Sequence, residues 1–183
     1  MIAFAPSRLL ILLLALMLAG TAGPAAAASG ARTKVNTKLL GTFENWKAYS
    51  YEENGQKVCY MSAQPKKSEP KGKPRGGTYV LITHRPAEKS FSVVSVTAGY
   101  TYKKKTEVAV RVAGRSFKLF TDGDTAWASD ESTDKSLSTA IRGARSMVIK
   151  GTSERGTNTT DDYSLAGSGA AFSALNEACG VRK

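Results

Sequence analysis

The chain is poor in the residues from which most catalytic and metal centres are built. Among its 183 residues there is one histidine, His84, so general acid–base chemistry near neutral pH has a single ordinary imidazole to draw on. There are two cysteines, Cys59 and Cys179, and with that histidine they fall short of a closed four-ligand zinc site unless carboxylates join them. Neither a Walker A loop nor a dinucleotide fingerprint occurs, and no cofactor is expected. No internal repeat of fixed period is present, which excludes repeat architectures. Acid is scarce as well: 15 acidic residues stand against 26 basic ones, a formal net charge of +11. The excess is spread along the chain, so it says little about fold, but it favours encounter with anionic partners such as lipid headgroups, lipopolysaccharide, acidic glycans or nucleic acid.

What is present begins at the amino terminus. Met1 to Ser7 is short and uncharged, Arg8 adds one positive charge, and Leu9 to Leu18 is an unbroken apolar run. Ala19-Gly20, Pro24 and the small residues Ala25 to Ala28 follow. This is the layout of a secretory signal peptide over residues 1–28, with cleavage after Ala28 and Ala27 as the nearest rival. The run makes roughly 15 Å of helix, half a bilayer core, which is short for a membrane anchor. No later segment approaches the ~18 apolar residues of a membrane helix, so no transmembrane span is expected after cleavage. Both cysteines lie in the mature chain. In an oxidising compartment an even count of two reads as one disulfide, Cys59 to Cys179, worth roughly 4 to 5 kcal/mol in the chain-entropy model for so long a loop. A metal pair or a cysteine nucleophile with a nearby base are the competing readings.

Residues 29–41 are polar and basic and read as a flexible lead-in; residues 42–183 read as one β-rich domain. Trp46 to Tyr51 and Val58 to Ala63 form strands around Asn54-Gly55, the strongest short hairpin signal in the chain. Gln64 to Gly77, rich in proline, glycine and lysine, reads as a loop. Further strands are expected at Thr78–Thr83, Phe91–Tyr100, Val108–Val112, Ser116–Phe120, Ala126–Ala128, Ser146–Gly151 and Thr157–Leu165. A helix is expected from Thr133 to Arg142, capped by Asp130 or Ser132 and ended by Gly143. A C-terminal helix is expected with Ser168 as its cap, Phe172, Leu175 and Cys179 on one face and Gly180 as its stop. The pattern predicts a mainly β fold: an antiparallel, jelly-roll-like β-sandwich with two short helices.

Few constellations could carry chemistry. His84 follows a strand and could act as a base or ligand, or simply pack. Gly167-Ser168-Gly169 lacks the spacing of a nucleophile elbow. Acid pairs at Glu52-Glu53, Asp122/Asp124, Asp130-Glu131 and Asp161-Asp162 fall in predicted turns, where such residues belong for backbone reasons. Asp122-Gly123-Asp124 departs from the EF-hand pattern at Ala126. Basic residues are the stronger signal. Lys66, Lys67, Lys71, Lys73 and Arg75 share one loop, and Lys103-Lys104-Lys105 sits beside Tyr100 and Tyr102. These form a candidate surface for an anionic envelope lipid or glycan, or for a host-cell surface with peripheral membrane association; a specific nucleic-acid partner is not expected outside the cell.

Several stretches, read in order, resemble the invasion-associated locus B family of exported bacterial proteins. They are Phe43-Glu44-Asn45-Trp46, Val58-Cys59-Tyr60, Ala98-Gly99-Tyr100 and Phe117-Lys118-Leu119-Phe120 with Gly123-Asp124-Thr125-Ala126-Trp127. Val148 to Ser153, Thr160 to Leu165 and Ala178-Cys179-Gly180 complete the set. The resemblance implies a compact β-rich domain in the periplasm or at the surface of a Gram-negative bacterium, without catalytic residues to carry over, and a link in some members to invasion of host cells. The expected function is therefore that of an exported, non-enzymatic envelope or surface protein that binds. A periplasmic hydrolase using His84 or a carboxylate pair is the alternative. When the full chain is exported from a Gram-negative host, the product should begin at Ser29, and its non-reduced mass should lack the pair of hydrogens lost in forming the bridge. A product retaining Met1, or one whose thiols both alkylate in the native state, would refute this.

Overall fold

Alternation of side chains between two faces organises the computed structural model, which describes residues 36–72 and 75–181. The expected signal peptide (1–28) and Lys73 lie outside the described residues. The strands are β1 (Lys38–Phe43), β2 (Trp46–Glu53), β3 (Gln56–Ala63), β4 (Lys67–Glu69), β5 (Tyr79–Arg85) and β6 (Ser90–Thr97). Then come β7 (Glu107–Val112), β8 (Arg115–Asp122), β9 (Thr125–Trp127), β10 (Ser146–Thr152) and β11 (Asn158–Ser164). The helices are α1 (Glu131–Gly143) and α2 (Ser168–Cys179). All eleven strands belong to one sheet in the order β1-β2-β3-β5-β6-β9-β8-β7-β10-β11-β4, and every pairing is antiparallel. The mainly β, antiparallel fold with two helices is as expected. The sandwich-like enclosure comes from one continuous ladder, whose two wings meet where Ser95–Thr97 pairs with Thr125–Trp127.

Local chemistry explains most element ends. Asn54 and Gly55 both take positive φ, 52° and 75°, the backbone that a two-residue hairpin with the right twist requires. Asp130 caps α1 by accepting the Thr133 N–H at 2.8 Å. Leu137 and Ile141 of α1 share its buried face. Asp134, also buried, accepts the Val94 N–H of β6 at 2.8 Å and so ties the helix to the sheet. The inner sides of both wings and both helices enclose one core, centred on residues such as Trp46, Met61, Ile82, Leu119, Leu137 and Leu175. Each such side chain contributes about 1.5–3 kcal/mol through burial.

Four expectations need correcting. The lead-in does not extend to residue 41: Lys38, Leu39 and Gly41 already pair with β2, because that strand's outer edge offers unpaired backbone groups that the segment can satisfy. The segment from Gln64 to Gly77 is not all loop, since Lys67–Glu69 adds to the edge of β11 for the same reason. Ser168 is not the cap of α2; Gly167 is, at φ 87°, and the Ser168 hydroxyl instead donates to the Ile141 carbonyl at 3.0 Å, joining the two helices. A side chain at Gly167 would bring its Cβ to 2.0 Å from the Phe43 carbonyl oxygen. Gly143 lies within α1, which ends as Ala144 turns to extended backbone.

The disulfide joins Cys59 of β3 to Cys179 at the end of α2, closing a separation of 120 residues with Cα atoms 6.0 Å apart. Cys59→Ser with Cys179→Ser should lower unfolding free energy by about 2–5 kcal/mol in denaturant melts. Tyr163 presents the opposite case. Its hydroxyl is buried without a hydrogen-bond partner among the described residues. Tyr163→Phe should therefore leave the denaturation midpoint unchanged or raise it, because an unpaired buried hydroxyl contributes only its desolvation cost. A clear loss would show that the hydroxyl has a partner.

Candidate binding cleft

The face of the first wing turned away from the core carries the most distinctive surface of the molecule. In β2, Trp46 and Ala48 point inward while Lys47, Tyr49 and Tyr51 point outward. In β3, Cys59 and Met61 are inside and Tyr60 and Ser62 outside; in β5, Val80, Ile82 and His84 are inside and Tyr79, Leu81, Thr83 and Arg85 outside. Antiparallel register then aligns these residues in rows. Tyr49 opposes Tyr60, Tyr60 opposes Thr83, and Thr83 opposes Val93. Lys47, Ser62, Leu81, Ser95 and Trp127 form the next row, across five strands. Together they line a half-open cleft of about 970 Å³, with Asn45, Gln64, Pro65 and Lys66 at its end.

The rings are fixed by one another. Tyr49 and Tyr60 stack at 5.0 Å between centroids and 18° between planes, and Tyr51 meets Tyr60 edge-on at 6.0 Å. Arg85 pairs with Glu53 and Glu88 and donates to the Tyr51 hydroxyl at 3.4 Å. Burial, followed by the neighbouring phenols of Tyr49, Tyr51 and Tyr79, pushes the Tyr60 hydroxyl above its ordinary pKa, so it remains a proton donor at neutral pH. The two most exposed large apolar residues among the described residues continue the rows. Leu39, 52% exposed, opposes Tyr49 at one edge, and Phe120, 50% exposed, opposes Trp127 at the other.

The residues singled out from sequence are distributed differently. His84 has no exposed surface. Its Nδ1 accepts the Ser92 N–H at 2.9 Å, so Nε2 carries the proton and donates to Asn176 Oδ1 at 2.8 Å. The edges and faces of Phe91 and Phe172 enclose the ring at 5.8 and 5.4 Å. It is a packed core residue that does not line the cleft. The acid pairs are likewise engaged in structure: Glu53 pairs with Arg85, Asp124 accepts the Thr125 hydroxyl, and Asp130 caps α1. Asp161-Asp162 lies inside β11 rather than at a turn. No group of three or more metal-ligating side chains occurs among the described residues.

Arg75 leaves the candidate cationic surface. Its guanidinium makes two hydrogen bonds to the Asp161 carboxylate, at 2.7 and 2.9 Å, and two more to the Ala98 carbonyl, while lying over the Tyr100 ring. Four of its five N–H donors are thus used within the fold. Lys67 pairs with Glu69 on the surface, and Lys66, Lys71 and Lys103 to Lys105 are exposed. They do not converge. Lys67 opposes Asp162, whereas Lys103 bonds Thr152, which opposes Asn158; those two β11 positions stand about 13 Å apart along the strand. Tyr102, 3% exposed, packs into the core, and the Tyr100 ring has one face under the Arg75 guanidinium, meets Tyr102 edge-on and bonds Thr159 through its hydroxyl at 2.6 Å.

Sequence reasoning missed the tyrosine cleft. Its one sequence signal is that Tyr49, Tyr60 and Tyr79 each stand next to a buried neighbour, which places aromatics on the side where polar residues normally go. Comparison with known proteins agrees with the resemblance read from the chain. The family model described as Invasion associated locus B (IalB) protein matches residues 46–176, a span that contains the cleft tyrosines, Cys59 and His84. The crystal structure of invasion associated protein b from Bartonella henselae shares the fold, with a TM-score of 0.53 at 16% identity, covering 76% of this chain and 95% of that one. No curated protein matches the chain.

Burial holds the His84 imidazole below its ordinary pKa of 6.5, the Asn176 hydrogen bond opposing this only in part. The unfolded chain therefore binds the extra proton first as pH falls, and the stability tied to neutral His84 is complete above about pH 6.5 and declines below it. Denaturant midpoints should fall from pH 7 to 5, and His84→Gln should flatten that slope. An equal slope in both proteins would show that His84 titrates normally.

Proposed function

Because the chain belongs to the invasion associated locus B family, we propose that it is an exported, non-enzymatic protein of the bacterial envelope or cell surface that works by binding. The observation that carries this reading is the cleft: rings, hydroxyls and lysines are gathered on the open side of a sheet whose opposite side is sealed by the core. These groups orient and hold a partner. The disulfide supports an oxidising location beyond the cytosol. No helix among the described residues is long and apolar enough to cross a membrane. The separated lysine patches and the excess of basic residues supply long-range attraction to anionic surfaces, while the cleft supplies selectivity. A role in host-cell contact or invasion follows by likeness to the Bartonella protein's name. The hydrolase alternative has no observation in its favour, since His84 is enclosed by the core.

Fractionation of tagged full-length chain should recover it from periplasm, outer membrane or medium. Pull-downs should show retention on envelope fractions or host membranes that weakens as salt rises. Recovery in the cytosol, or no retention on either surface, would overturn the reading.

A further inference from the structure

We propose, resting on the binding role above, that the tyrosine cleft is a saccharide site that takes a short stretch of a glycan chain. The cleft runs across five neighbouring strands, from β2 to Trp127 of β9, roughly 19 Å at ordinary strand spacing. That is the length of a few sugar rings. Its surface alternates aromatic rings with hydroxyl groups, and a pyranose has the same dual character. The C–H bonds on one face of a sugar carry slight positive charge and meet the negative face of a tyrosine or tryptophan ring. The sugar's hydroxyls need donors and acceptors at the rim of that contact. Here the hydroxyls of Tyr49, Tyr60, Tyr79, Ser62 and Thr83 make no hydrogen bond to another described residue, which leaves both their donor and acceptor capacity for a ligand.

Other occupants fit less well. A peptide strand adds to a sheet at its edge, but β3 and β5, at the cleft floor, have both backbone edges committed to neighbours. An acyl chain would strip water from the free hydroxyls and return nothing, at about 1–3 kcal/mol for each one left unpaired. A nucleic acid needs a cationic track for its phosphates, whereas Lys47 and Lys66 share this rim with Glu44 and Glu53. Tyrosine rings already stacked on one another are held in place before binding, so little side-chain freedom is lost.

The test uses the exported, disulfide-bonded protein against three immobilised probes: peptidoglycan fragments, lipopolysaccharide core oligosaccharide and sialylated host glycans. At least one should bind. Tyr49→Ala and Tyr60→Ala should each weaken binding roughly three- to tenfold, as loss of one aromatic contact predicts. Tyr49→Phe and Tyr60→Phe keep the ring and the packing, so they should fold as the parent does and lose less, isolating the hydroxyl's share. Ser132→Ala, on the exposed side of α1 and outside both the cleft and the lysine patches, should bind as the parent. Saccharide binding that ignores all the tyrosine changes would overturn the assignment of the site. Absence of saccharide binding with envelope retention intact would overturn the inference while sparing the binding role, and would point to a protein partner. Loss of both would remove the two readings together.

Discussion

The fold depends on how α2 is fastened to the inner face of the first wing. Cys59 and His84 are register partners on β3 and β5, so their side chains lie together on the same face. Asn176 and Cys179 are three apart on α2 and present together to that face. The result is a doubled clasp, a covalent bond between the cysteines beside a buried hydrogen bond between His84 and Asn176. Each half positions the other. The covalent link limits how far the helix can move, and the hydrogen bond sets how the helix end is turned, with Phe91 and Phe172 packed edge-on against the His84 ring.

The clasp determines which side of the sheet is free. With α2 over β1, β2 and β3 and α1 over β6, the inner face is committed to the core. The tyrosines, on the opposite parity of the same strands, must then face outward. The outward placement of Tyr49, Tyr60 and Tyr79 follows directly from the burial of Ala48, Cys59, Met61 and Val80 next to them in the chain. Part of the positive charge follows another logic: Lys67, Lys71 and Lys103 to Lys105 sit on turns and an edge strand, where they keep unpaired backbone from joining other chains. Lys47 and Lys66 line the cleft, whereas Lys103 to Lys105 lie outside it.

Elements decided within a few residues were legible in the chain. Asn54-Gly55 makes its turn, Asp130 caps its helix and Gly180 ends α2 because each acts on backbone groups two to four positions away. Elements that need a distant partner were not. β4 exists only because β11 offers an edge, and Arg75 left the cationic surface because Asp161 and Ala98 lie beside it in space. Ser168 has the chemistry of a cap, but the close approach of the Phe43 carbonyl gives that position to Gly167. The cleft was hidden for the same reason: no local pattern says that Tyr49 will stand opposite Tyr60.

The sequence by itself determined the strand alternation, the turns, the excess of positive charge, the family likeness and the presence of two cysteines able to pair. These are properties of residues and their near neighbours. Tertiary structure alone decided that the single histidine is a packing residue, that one cation is neutralised inside, and that scattered tyrosines form one platform. Those outcomes depend on strand register and on which face the helices cover, and both are set by contacts between segments far apart in the chain.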